Sequence, residues 1–111
     1  MSKFDDALAT YMGEAKKLGI SVDQALLEKV TKGLGPSIYN ADSAKVASSD
    51  SKELDRVKQN FLIKKLGLAD GPELDKHIEG VVKQFGSSNS NKHRALFYYL
   101  LVKSAGKESV Y

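Results

Sequence analysis

Apolar residues recur along the chain with the spacing of an α-helix that buries one face. In the first such segment they lie three or four positions apart, which places them on one side of a helix. They are Phe4, Ala7, Leu8, Tyr11, Met12, Ala15 and Leu18. Lys16 and Lys17 suit the negative end of a helix dipole, and Gly19 is typical of the residue that follows a helix C-terminus. The pattern therefore predicts a first helix over residues 4–18.

Three more amphipathic segments follow, and each opens with a residue that commonly caps a helix N-terminus. Ser21, Asp50 and Asp70 stand at these starts, and Pro72 suits the first position of the fourth helix. The segments end at glycines, which favour helix C-termini: Gly35, Gly67 and Gly86. The sequence thus predicts helices two, three and four, with the third continuous from its cap to its glycine.

The fifth segment, residues 95–102, is an unbroken run of apolar residues. Successive helix positions differ by about 100°, so a run of this length covers every face of a helix. Such a helix has no side for water and must be surrounded. A membrane span needs about 20 apolar residues, whereas here His93 and Arg94 come directly before the run and Lys103 ends it. We therefore expect a central helix enclosed by the other four.

No segment alternates between apolar and polar residues, so the sequence predicts no strand. We expect an all-α fold, a compact single domain over residues 1–111 with five helices and the hydrophobic C-terminal helix at its centre. A long stretch without sustained periodicity separates helices two and three. A connection of this length in a compact domain is usually partly structured or functional. We expect a structured loop over about residues 35–50, pinned by Ile38, Tyr39 and Val46.

Composition narrows the chemistry that the chain can perform. It has no Cys and two His among 111 residues, which removes disulfides and thiolate ligands and disfavours a zinc site. His77 and His93 have no Ser, Cys or acid at a spacing that reveals a triad or dyad. We expect no cofactor and no enzymatic activity. Because the first residues lack the apolar core of a secretory signal, we expect a cytoplasmic protein without membrane contact.

Charge gives only a weak argument for nucleic-acid binding. The chain carries 17 Lys and Arg against 14 Asp and Glu, a net charge of +3. Many of the lysines lie in the last turn of a predicted helix, where they stabilise the helix dipole. They are Lys16, Lys17, Lys32, Lys64, Lys65, Lys83 and Lys103. The fifth helix also lacks the exposed polar face of a recognition helix, so nucleic-acid binding is disfavoured.

A polar loop at residues 87–94 leads into the fifth helix and is the best local candidate for a ligand site. Free backbone N–H groups at a helix N-terminus, together with cationic side chains, can hold a phosphate or a carboxylate. The candidate anion-binding residues are Asn91, Lys92, His93 and Arg94. The same composition is more often that of a well-capped helix behind a solvated loop, and the sequence leaves both interpretations open.

The loop after helix two is a candidate surface for contacts with a partner. Its glycines lack the Lys-Ser/Thr ending of a phosphate-binding loop. The candidate interaction residues are Ile38, Tyr39, Asn40 and Asp42. The alternative role for Tyr39 is that of a partly buried anchor for a long loop.

Four stretches of the sequence, taken together, resemble a known family. They are residues 27–42, 60–68, 97–103 and 106–111. The chain resembles short bacterial proteins grouped as domain of unknown function 2853, and the likeness covers essentially its whole length. The resemblance implies a compact bacterial cytoplasmic domain. It implies no activity, because the family offers no catalytic or binding residues to carry over.

The sequence supports two main hypotheses of function. The first is a non-enzymatic protein-interaction or accessory domain, with a protein partner or self-association near Tyr39 and an exposed apolar patch or dimer interface there. The alternative is anion or nucleic-acid binding through the basic start of the last helix, which predicts affinity that falls as salt rises. An enzyme would need a cleft with titratable groups of shifted pKa.

Overall fold

The computed structural model describes residues 3–39, 45–46, 50–86 and 92–111, and over these ranges the chain is a compact all-α domain. The five helices are α1 (Lys3–Lys17), α2 (Gln24–Leu34), α3 (Ser51–Val57), α4 (Pro72–Phe85) and α5 (Arg94–Ala105). The predicted fold class and the number of helices are confirmed. No strand occurs within the described ranges, where an isolated antiparallel bridge joins Lys45 to His93. Within those same ranges no helix combines the length and apolarity that crossing a bilayer requires.

Helix α5 is the centre of the domain, as its unbroken apolar run predicts. Every residue from 95 to 102 is between 0% and 7% exposed to solvent. The helix packs against α1, α2 and α4, which together enclose it. Burial of apolar surface stabilises a fold by about 25 cal/mol per Å², and α5 adds eight buried residues to the core.

Three consecutive aromatic residues of α5 reach three different parts of the domain. Phe97 stacks on Phe85 of α4, with ring centroids 5.9 Å apart. Tyr98 stacks on Phe61, which follows α3, at 4.0 Å. The hydroxyl of Tyr99 accepts a hydrogen bond of 2.8 Å from the backbone N–H at residue 23, just before α2. A helix without a polar face can therefore make specific contacts in every direction.

Two of the predicted helix caps are wrong. Helix α2 is capped by Asp23 rather than Ser21, because the Asp23 carboxylate accepts hydrogen bonds from two backbone N–H groups of the first turn. Helix α4 begins after Gly71, and Asp70 makes no capping hydrogen bond. Pro72 does occupy the first turn of α4, as predicted. Asp50 caps α3 as predicted, through a 3.0 Å hydrogen bond from the N–H of Lys52.

The third helix is not uniformly α-helical. Directly after α3, residues Lys58–Ile63 form a π-helical segment. Its wider turns show in two hydrogen bonds between residues five apart: Lys64 N–H to the Gln59 carbonyl at 3.3 Å, and Leu66 N–H to the Phe61 carbonyl at 2.9 Å. Such turns are rare and occur frequently at functional sites. The hydrophobic pattern predicts a continuous helix here and carries no sign of the wider turns.

The middle loop is structured where it is described. A 3₁₀ helix, Gly35–Tyr39, continues directly from α2. Ile38 and Val46 are buried at 8% and 4% exposure, which confirms them as anchors of the loop. Tyr39 is 47% exposed, so its predicted role as an anchor is wrong. Asn40 and Asp42 lie outside the described residues.

Candidate functional site

Tyr39 is the exposed aromatic residue of the candidate interaction surface. It ends the 3₁₀ helix that Gly35 begins, and the buried side chain of Ile38 fixes that turn to the core. Burial raises the pKa of the Tyr11 hydroxyl on α1, and Tyr39 raises it further. Tyr39 is therefore an aromatic ring presented to solvent on an anchored piece of backbone.

The residues before α5 are joined to the middle loop. Val46 N–H donates a 2.8 Å hydrogen bond to the Lys92 carbonyl, and Lys45 and His93 form the isolated antiparallel bridge. The sequence places these two segments in separate loops and gives no sign of the pairing. The start of α5 is therefore joined by backbone hydrogen bonding to residues 45–46 of the middle loop.

Lys92 and Arg94, the cationic residues of the candidate anion site, both lie largely inside the domain. Lys92 is 2% exposed, and this burial lowers the pKa of its ammonium group. Arg94 pairs closely with Glu53 of α3, and both side chains are less than 15% exposed. Arg94 also donates a 2.9 Å hydrogen bond to the Tyr98 hydroxyl. Burial works against the charge of Arg94, but its hydrogen bonds with Glu53 and Tyr98 outweigh burial and raise the pKa of the guanidinium.

His93, the remaining described residue of that candidate site, contacts helix α1. Its ring lies 5.3 Å from the ring of Tyr11, measured between centroids. Burial, and then the positive charge of Lys45, lower the pKa of His93, while Glu14 acts in the opposite direction. His93 is also the residue that precedes α5, and its side chain makes no capping hydrogen bond. Asn91 lies outside the described residues, and anion binding by this group stays a prediction.

A cleft of about 320 Å³ separates α3 from α4 and gathers several charged side chains. Lys58 lies among the carboxylates, with its ammonium 3.5 Å from Asp75 and 3.9 Å from Asp70. The other residues that line the cleft are Ser51, Leu54, Asp55, Ile78 and Glu79. Among the residues that the structure describes, no three His, Asp or Glu side chains are grouped so that they could hold a metal ion. The cleft is an ion-pair network between two helices.

The structure brings together one Ser and His pair that sequence analysis missed. His77 Nδ1 and Ser104 Oγ are 2.7 Å apart, although the residues are 27 positions apart in the chain. Their hydrogen bond joins α4 to the last turn of α5. Neither residue lines the cleft between α3 and α4, and the pair serves as a link between two helices.

These features define a small all-α domain built around an apolar central helix, with Arg94 at the start of that helix paired to Glu53 of α3. The chain belongs to the family described as Protein of unknown function (DUF2853), whose model matches residues 10–109 of the 111. The resemblance found in the sequence is thereby confirmed. A comparison with curated proteins gave no significant match.

Proposed function

We propose that the protein is a non-enzymatic protein-interaction or accessory domain, and that its contact surface is centred on Tyr39. The observation that carries the proposal is the exposure of this large aromatic side chain, at 47%, on a turn that is fixed to the core. Tyrosine is enriched among the residues that dominate binding energy at protein interfaces. A ring on an anchored turn loses little conformational freedom when a partner covers it.

The partner that we propose for this surface is a second copy of the same chain. Tyr39 is exposed on a turn next to α2, so in a symmetric dimer its ring would lie in the surface that each copy presents to the other. Stable interfaces bury about 1,200–2,000 Å² in total, and the ring of Tyr39 would lie within such an area rather than supply it alone. The predicted dimer is isologous, with the same surface contributed by each copy.

We also propose that the protein works in the bacterial cytoplasm. The resemblance of the sequence to short bacterial proteins supports this location, and the absence of cysteine is compatible with either redox compartment. Fractionation of bacterial cells that express the chain, with marker enzymes for periplasm and cytoplasm, tests the proposal. Recovery in the periplasmic fraction would contradict it.

Light scattering coupled to size-exclusion chromatography tests the interaction surface. We expect the wild type to form a dimer at tens of micromolar and Tyr39→Ala to weaken that dimer by about tenfold or more, the effect of a typical aromatic anchor at 1.4 kcal/mol or above. The matched control is Val110→Ala, because Val110 is another large apolar side chain on the surface, at 38% exposure. That control should leave the dimer unchanged.

The same runs at low and high salt separate the proposal from the alternative of the sequence analysis. A contact made by an aromatic ring changes little with salt, whereas anion or nucleic-acid binding through Lys92 and Arg94 weakens steeply. For the alternative to act, Lys92 would have to leave the interior and Arg94 would have to leave Glu53. A monomer at every concentration and salt would refute self-association.

A further inference from the structure

We draw no further inference here: the strongest candidate, the apolar groove between α1 and the start of α2 that Met12, Ala15, Ile20 and Val22 line, is an unpartnered apolar surface, and nothing in the part of the chain that the structure describes shows what covers it.

Discussion

Arg94 shows how a residue's surroundings set its role. In the sequence it is one of three potentially cationic residues before an apolar helix, which fits an anion site. In the folded chain its guanidinium lies beside the Glu53 carboxylate and the Tyr98 hydroxyl, at 14% side-chain exposure. A charge in such a place needs its partner, because removal of one member of a buried pair leaves the other without compensation.

We therefore predict that Glu53→Ala destabilises the domain by about 2–4 kcal/mol, slightly less than the loss of a fully buried pair because both side chains keep some exposure. Urea unfolding followed by circular dichroism measures the change. The matched control is Arg56→Ala, since Arg56 also pairs with Glu53, at 3.3 Å, but its side chain is 65% exposed. That control should cost about 1 kcal/mol or less, and an equal cost for both variants would contradict the argument.

At the scale of elements, the helices form where the apolar period predicts them, and their ends are decided by hydrogen bonds. Asp23 rather than Ser21 caps α2, because Asp23 is the residue whose backbone N–H also reaches the Tyr99 hydroxyl of α5. Asp23 and Tyr99 are 76 positions apart in the sequence. A local pattern can indicate that a cap lies within a short polar stretch, but a partner at that distance decides which residue it is.

The hydrogen bond between Tyr99 and the start of α2 gives a prediction at this scale. Tyr99→Phe keeps the ring and its packing but leaves the Asp23 N–H without its acceptor in a partly buried place. We expect a loss of about 1–2 kcal/mol, the cost of an unsatisfied donor. Thermal and urea unfolding measure it. The control Tyr39→Phe removes a hydroxyl from a ring that is 47% exposed and should change stability by less than about 0.5 kcal/mol.

At the scale of the whole molecule, residues 92–93 connect the middle loop, α1 and α5. The backbone of this segment pairs with residues 45 and 46, and the ring of His93 packs on Tyr11. The groups that face His93 are Tyr11 and Glu14 from α1 and Lys45 from the loop. One titratable side chain therefore lies where three parts of the fold meet.

The lowered pKa of His93 makes stability depend on pH in a definite direction. Its neutral form is favoured in the folded state, so below the ordinary pKa of 6.5 the unfolded state binds more protons than the folded state does. The stabilisation is complete above pH 6.5 and is lost progressively as the pH falls below it. We predict that the free energy of unfolding falls less for His93→Gln than for the wild type between pH 8 and pH 5. Unfolding free energies measured over this pH range, each compared with the value of the same protein at pH 8, test the prediction. Identical slopes for the wild type and the variant would contradict it.

Most of the architecture could be predicted from the sequence, for a physical reason. Burial of one helix face requires apolar residues every three or four positions, and burial of all faces requires an unbroken run such as residues 95–102. Both requirements concern residues that are close together in the sequence. The sequence therefore determines the helices, their approximate ends and the central place of α5. The all-α class and the family membership follow from the same local patterns.

Only the tertiary structure decides which distant residues meet. Arg94 and Glu53 are 41 positions apart, and Tyr111 reaches Gly33 from the far end of the chain. The wider π-helical turns at Lys58–Ile63 likewise leave no trace in a pattern that fits an ordinary helix. The burial of Lys92 and Arg94, the exposure of Tyr39 and the contact of Tyr111 with Gly33 are all set by packing between elements. Local sequence patterns carry no information about such packing, because each contact depends on where two separately formed helices come to lie.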